Sequence, residues 1–189
     1  MFFALSCNLE GEFQIHLCEI VPSCECKTYY AEKTAINQVI KMGMTTRELL
    51  ARMIKCEAGG EGEDGMRAVA SIIVNRAQVS YGEFFRVSQG GDYRKIMEQP
   101  NQFTCMKTSI GGVYNAQNVW NSDPEEIHYE IADWALAGST LNAVGECLFY
   151  FNPFKPDCQP YFPAGQVGVI FNRIQQHCFY TPTQKYALT

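Results

Sequence analysis

The chain has 189 residues, a net charge of -5 and a hydrophobic share of 47%. This length and composition are typical of a globular protein with one main domain and a core. The negative charge and the lack of any cluster of lysines and arginines exclude a protein that binds nucleic-acid phosphates. No apolar run reaches the roughly 20 residues of a membrane helix. The sequence therefore predicts neither a nucleic-acid partner nor a membrane span.

The first 43 residues differ in pattern from the rest of the chain. Parts of residues 2–21 alternate apolar and polar side chains, which predicts a short hairpin or irregular strands. We expect an N-terminal appendage of unknown role over residues 1–43 and the main domain over residues 44–189. The apolar stretch at the start is short and follows no basic residue, so the sequence predicts no export signal.

The nine cysteines cannot all pair within one chain, because their number is odd. This favours reduced thiols, some of them oxidised later. The closest pair, Cys24 and Cys26, lies near His16 and Cys18, and a metal site there is the less favoured alternative. We predict no metal and no cofactor.

The middle of the chain predicts helices. Thr45 stands three residues before Glu48, the spacing of a capping box, and the helix that follows ends at Gly59. In the second helix Glu63 and Asp64 are expected to cap the first turn. The predicted helices span residues 45–59, 64–77, 92–98, and Ser122 or Asp123 to Gly138, with Pro124 in the first turn of the last.

Strand-like runs follow the helices at residues 147–152 and 167–179, the second with a break. Helices first and strands second are typical of an α+β fold.

Glu57 interrupts an apolar stripe on the first helix. Leu49 and Met53 are four residues apart, and the next position on that face is Glu57. Its side chain is therefore predicted to point toward the core, where the helix opens into a glycine-rich loop. Burial disfavours the charged form of a carboxyl group, so a carboxyl group there is suited to act as a general acid. The alternative is a half-exposed glutamate that merely ends a helix. Calcium binding by the acidic loop is less favoured, because the loop lacks the alternating oxygen ligands of an EF-hand.

Four stretches follow one another over about residues 45–182. They are Cys56-Glu57-Ala58-Gly59-Gly60-Glu61 with Gly65 and Asn75-Arg76; Gln99-Pro100 with Phe103-Thr104; Leu148 to Pro153; and His177 to Tyr180. In this order they resemble the SleB/CwlJ family of spore cortex-lytic cell-wall hydrolases. Asp157-Cys158 and His177-Cys178 resemble the CwlJ branch more closely.

The resemblance implies a mainly helical, lysozyme-like and lytic-transglycosylase-like domain with a small C-terminal sheet. It implies cleavage of peptidoglycan between N-acetylmuramic acid and N-acetylglucosamine, with Glu57 as general acid and base. Glu61 is the second catalytic candidate, as electrostatic stabiliser or base, and its alternative role is to hold the loop backbone. The substrate-binding candidates are Thr104, Tyr150, Asn152 and His177, of which His177 is equally suited to a structural role.

Two other functions stay open at this point. One is an amidase that cuts between muramic acid and L-alanine, and the other is a non-catalytic spore-coat or wall-binding protein. By analogy with the family we expect a location at the boundary of spore coat and cortex, with a spore-coat protein as a further partner. A cell-wall or extracellular location is the alternative.

Overall fold

The computed structural model describes residues 3–7, 13–17 and 43–189. The chain divides into two compact units, Met1–Gly43 and Met44–Thr189. In the first unit, strands β1 (Phe3–Cys7) and β2 (Phe13–Leu17) pair antiparallel, with Phe3 opposite Leu17. The predicted hairpin is therefore confirmed. The alternative metal site falls on side chains outside the described part of the chain.

The second unit consists mainly of helices. It also contains a 3₁₀ turn at Thr104–Met106 and the two-residue strands β3 (Ser109–Ile110) and β4 (Val113–Tyr114). None of the described helices is long and apolar enough to cross a membrane. The α-helices of the second unit are α1 (Thr46–Ala58), α2 (Gly62–Gln78), α3 (Gly82–Ser88), α4 (Tyr93–Glu98), α5 (Glu126–Leu136) and α6 (Gln184–Ala187).

The core forms where α1 and α2 turn their predicted apolar faces toward each other and toward α5. Leu49, Leu50, Met53 and Ile54 of α1 are fully buried, as the periodicity predicts. The predicted face of α2 is buried too, but so are Ala68, Ile72 and Val74, so this helix is buried on more than one side. The predicted face comprises Met66, Val69, Ala70, Ile73 and Ala77.

The small C-terminal sheet has the order β5-β7-β6, formed by β5 (Phe149–Phe151), β6 (Gly168–Ile174) and β7 (His177–Pro182), with antiparallel pairing throughout. The break predicted in the second strand-like run is the turn between β6 and β7. Two side chains at the end of α2 fix the sheet to the helices. Asn75 Nδ2 donates to the carbonyls of Gly145 and Cys147, and Arg76 Nε donates to the carbonyl of Leu148. The Asn-Arg ending of α2 thus sets the start of β5.

Two helix starts differ from the prediction. Neither Glu63 nor Asp64 caps α2, which begins earlier, at Gly62; Glu63 instead pairs with Arg67 one turn along the helix. The last long helix begins at Glu126 rather than at Ser122 or Asp123.

The carbonyl oxygens that precede this helix are bound by side chains of α1. Arg52 donates to the carbonyl of Ser122, and Lys55 Nζ lies 2.6 Å from the carbonyl of Asp123. Glu125 then forms a reciprocal capping box with His128.

At the start of α1 only half of the predicted capping box forms. Thr45 Oγ1 accepts from the Glu48 N–H, and the Glu48 carboxylate bonds to Arg52 and Tyr129.

Candidate functional site

Glu57 lies in the last turn of α1, where the stripe prediction places it. Its Oε2 accepts a hydrogen bond of 2.9 Å from the Tyr150 hydroxyl on β5. Its Oε1 is buried and has no hydrogen-bond partner among residues 44–189. One oxygen is therefore held by the sheet, and the other makes no hydrogen bond within the described ranges.

Tyr150 is positioned by the sheet rather than left free for a ligand. Its ring packs edge-on against His177 at 5.2 Å and stacks on Phe179 at 6.1 Å. Burial, with the neighbouring Glu57 carboxylate, holds the pKa of Tyr150 well above its usual range. The hydroxyl is therefore a hydrogen-bond donor at neutral pH, and its acceptor is Glu57. Tyr150 was predicted to bind substrate, but the structure gives its hydroxyl a protein acceptor.

Glu61 lies at the start of α2 and meets His177 at the start of β7. Glu61 Oε2 is 2.9 Å from His177 Nδ1, and both side chains are 8% exposed. The two atoms are close but are not aligned as a hydrogen bond. The same Glu61 oxygen accepts a 3.2 Å hydrogen bond from the backbone N–H of Gln176. Glu61 therefore lies against the imidazole and binds the β6–β7 turn, so the alternative role of holding a loop backbone is observed, while its predicted catalytic role stays a prediction.

Gly65 makes room for the Glu61 side chain. A Cβ atom built at Gly65 would lie 2.5 Å from Glu61 Cβ, a distance that real Cβ atoms do not show. Any side chain at this position would push Glu61 away from His177. The glycine of the sequence motif is thus explained by the packing of Glu61 across the first turn of α2.

Two thiols flank the Glu57 carboxyl group. Cys56 precedes it on α1, and the buried Cys105 comes from the 3₁₀ turn. The Cys56 thiol, burial and the Glu57 carboxylate together raise the pKa of Cys105 far above its usual value. A thiol that stays protonated is a poor nucleophile, so this position favours packing over covalent catalysis.

A disulfide joins Cys158 to Cys178. It fastens the loop after β5 to β7, one residue after His177. The expectation of reduced thiols, some later oxidised, left this pairing unassigned. The sequence alone does not predict this disulfide, since no spacing rule identifies partners 20 residues apart.

All six predicted site residues border one cleft of about 770 Å³: Glu57, Glu61, Thr104, Tyr150, Asn152 and His177. Thr104 is exposed at its edge. The Asn152 side chain accepts from the Phe154 N–H and lies 3.4 Å from Gln176 Oε1, so it also stabilises the turn after β5. No set of three histidine, cysteine, aspartate or glutamate side chains within the described ranges could hold a metal ion.

Sequence reasoning did not assign Arg76 to the site, although this residue also borders the cleft. Its side chain is 4% exposed, and its guanidinium lies over the rings of Phe84 and Phe103, at 4.4 and 5.2 Å from their centroids. The sequence feature that could have identified it is an arginine near the end of a helix with a buried apolar face, because arginine side chains are seldom buried.

Three comparisons with known proteins agree. The profile of the family described as Cell Wall Hydrolase matches residues 60–180, a stretch that begins after Glu57. The chain is 26% identical over 145 residues to the cell wall hydrolase CwlJ of Halalkalibacterium halodurans, covering 77% of this chain and 91% of the relative. It is 27% identical over 146 residues to CwlJ of Bacillus subtilis strain 168, with the same two coverages.

A solved structure has the same fold. It is the catalytic domain of the germination-specific lytic transglycosylase SleB from Bacillus anthracis, with a TM-score of 0.50 and 22% identity over 72% of this chain and 93% of that chain. At this identity the likeness shows the fold alone. The predicted fold class, helices with a small sheet in a lysozyme-like and lytic-transglycosylase-like domain, is confirmed.

Proposed function

The chain belongs to the Cell Wall Hydrolase family, and we propose that it cleaves the glycan strands of peptidoglycan with Glu57 as the general acid. The bond cut is that between N-acetylmuramic acid and N-acetylglucosamine. The resemblance to the SleB/CwlJ family made from the sequence motifs is confirmed by the family match and by the CwlJ relatives. The statement on the bond rests on what the family resemblance implies, and the statement on the residues is supported by the geometry of the site.

This proposal is supported by the different environments of the two Glu57 carboxyl oxygens. Oε2 is occupied by the Tyr150 hydroxyl, while Oε1 has no partner within residues 44–189. A carboxyl group fixed at one oxygen presents the other in a defined direction, which is what proton transfer to a leaving oxygen requires. Tyr150 is then a positioning residue, and Glu57 is the group that contacts the glycosidic bond.

The reaction begins with the protonated Glu57. Its proton moves to the glycosidic oxygen as the bond to the muramic C1 breaks, and positive charge develops on the muramic ring. The glutamate, now ionised, accepts a proton from the attacking hydroxyl. If this is the muramic C6 hydroxyl, the product is a 1,6-anhydro sugar, and if it is water, the product is a reducing muramic end. In both cases one carboxyl group gives up a proton and regains one.

Glu61 acts in this proposal through His177. Its carboxylate is committed to the imidazole and to the Gln176 N–H, which disfavours direct attack on the sugar. The pair places a negative charge and an oriented imidazole at the same cleft as Glu57. We assign Glu61 to electrostatic stabilisation and His177 to hydrogen bonding with the substrate.

Thr104 and Asn152 complete the proposed groove. Both border the cleft from outside the helices, Thr104 on the 3₁₀ turn and Asn152 after β5. Hydroxyl and amide groups at these positions suit the hydroxyl and N-acetyl groups of a glycan. The cleft volume of about 770 Å³ is that of a site for several sugar rings or a comparable ligand.

The spore cortex is the proposed substrate and the boundary of coat and cortex the proposed location, with a spore-coat protein as partner. The support is the likeness to CwlJ proteins and the family resemblance in the site motifs. Cortex digested faster than vegetative wall would support this assignment, and equal rates on both would count against it.

The test of Glu57 is the variant Glu57→Gln, which keeps the shape of the side chain and removes the acid. We expect it to lose at least about 100-fold in the rate at which a cortex suspension clears, the scale of general acid catalysis. The matched control is Glu63→Gln, since Glu63 lies nearby in the first turn of α2 but is exposed and pairs with Arg67. Clearing by Glu57→Gln at the rate of the unaltered protein would end the assignment.

A further inference from the structure

Arg76 is a buried cation at the cleft that forms no ion pair within residues 44–189. Its side chain is 4% exposed, and Nε donates to the Leu148 carbonyl at 2.8 Å. Nη1 is buried and makes no hydrogen bond within residues 44–189. The same part of the chain contains seven ion pairs, and Arg76 takes part in none of them.

The guanidinium keeps its charge at neutral pH. Burial lowers the pKa of Arg76 to about 10, which still leaves the group protonated. The rings of Phe84 and Phe103 cover it and offset part of the lost hydration. A buried charge is ordinarily paired, because an unpaired one is costly to remove from water.

Two acids, Glu57 and Glu83, lie close enough to Arg76 to act on its charge, and each has one oxygen bound to another side chain. Glu83 Oε1 accepts a 2.5 Å hydrogen bond from Gln99 Nε2, and Glu57 Oε2 accepts from Tyr150. Both acids border the same cleft as Arg76. Neither acid forms an ion pair with Arg76 within residues 44–189, so the cation can pair with a carboxylate that enters the cleft.

We propose that Arg76 binds a carboxylate of the substrate on the muramic side of the glycan. Two carboxylates have this chemistry: that of the lactyl group on muramic acid, and that of a short stem peptide attached to it. Guanidinium groups suit carboxylates because their planar fork can donate two parallel hydrogen bonds. The choice of a muramic substrate rests on the proposed function, but binding of a carboxylate at Arg76 does not require cleavage.

This role would distinguish the two sugars of the strand. N-acetylglucosamine carries no carboxylate, whereas a muramic residue carries one on its lactyl group when that group is free, or at the end of its stem peptide when a peptide is attached. A cation near Glu57 would thus favour the strand register that places a muramic residue beside the catalytic acid. Arg76 would act on specificity and not on proton transfer.

Binding of small probes to the whole chain tests the proposal, with dissociation constants from NMR titration. The probes are N-acetylmuramic acid, its methyl ester, N-acetylmuramoyl-L-alanine and N-acetylglucosamine. We expect the free acid or the alanyl compound to bind about 10- to 100-fold more tightly than the ester and N-acetylglucosamine, since a charge-assisted hydrogen bond of this kind contributes that much. Preference for the acid assigns the lactyl carboxylate, and preference for the alanyl compound assigns the peptide carboxylate.

Variants locate the effect. Arg76→Gln is expected to bind acid and ester equally, whereas Arg67→Gln, which removes a cation outside the cleft lining, is expected to retain the preference of the unaltered chain. Should Arg76→Gln fail to fold, the acid and ester comparison on the unaltered chain decides alone. Equal binding of all four probes to the unaltered chain overturns the proposal, as does a preference that a folded Arg76→Gln retains. Repeating the titration on Glu57→Gln separates the two claims, because the carboxylate preference should persist when cleavage is lost.

Discussion

Removing the Tyr150 hydroxyl should slow catalysis without weakening substrate binding. Tyr150→Phe keeps the ring that packs on His177 and Phe179 and deletes only the donor to Glu57 Oε2, a 2.9 Å hydrogen bond. The bond joins a hydroxyl to a carboxyl group in a partly buried site, so its loss should cost about 2 kcal/mol. Entered in full in the activation barrier, about 2 kcal/mol corresponds to about a 30-fold fall in kcat.

The assay measures clearing of a cortex suspension over a range of substrate concentrations, together with sedimentation of the protein with cortex. We expect kcat to fall and the sedimented fraction to stay constant, because Tyr150 positions Glu57 and does not bind sugar in this account. Tyr161→Phe is the control, since Tyr161 is 51% exposed and lies outside the cleft lining. Weaker sedimentation at constant kcat would return Tyr150 to the substrate-binding role predicted from the sequence and refute the positioning argument.

Three further predictions concern the frame of the site. Gly65→Ala should displace Glu61 and reduce both stability and clearing rate, while Gly60→Ala, where an added Cβ meets nothing within 4 Å, should change neither; equal behaviour of the two in thermal melts and clearing assays would contradict this. Reduction of Cys158–Cys178 should lower the free energy of unfolding by about 3 kcal/mol and the melting temperature by about 10 °C, which calorimetry with and without dithiothreitol measures, an unchanged melt being the contrary result. Burial acts to raise the pKa of Glu48, but hydrogen bonds from Tyr129 and Arg52 outweigh it and hold that pKa below its ordinary value. The ionised Glu48 therefore stabilises the fold at pH values above the ordinary pKa of glutamate. This stabilisation is lost as the pH falls through the lowered pKa. Glu48→Gln should therefore be less stable than the unaltered chain at pH 7 and approach it in acid, and a difference in denaturation midpoint that is independent of pH would be inconsistent with this linkage.

Helix periodicity was sufficient to place Glu57, because residues four positions apart on one continuous helix lie on the same face. Leu49 and Met53 fix the direction of that face, and both are fully buried. The same local reasoning located the β6–β7 break. Both features depend only on residues that lie close together in the chain.

The partners of the site residues could not be predicted in the same way. Tyr150 reaches Glu57 across 93 positions and Gln176 reaches Glu61 across 115, and no local pattern connects such pairs. Family motifs named these residues but gave them roles toward substrate. The structure adds that several of them, including Tyr150, Glu61 and Asn152, also bind protein groups.

Helix α3 was missed for a related reason. It is seven residues long, and its first residue, Gly82, has a positive φ of 70°. A Cβ at Gly82 would lie 2.7 Å from the Tyr186 ring, and the Tyr186 hydroxyl accepts from the Phe84 N–H. A residue near the end of the chain thus fixes the start of this helix. Only the tertiary contact makes so short a segment helical.

The central claim is that Glu57 drives cleavage of the glycan strand, and mass spectrometry of the products tests it most directly. Cortex digested by the unaltered protein should yield fragments ending in 1,6-anhydro or reducing muramic acid, with stem peptides still attached. Digestion by Glu57→Gln should yield neither product above background. Free stem peptides, which indicate amidase cleavage, or the same muramic ends from Glu57→Gln at an undiminished rate, would contradict the account.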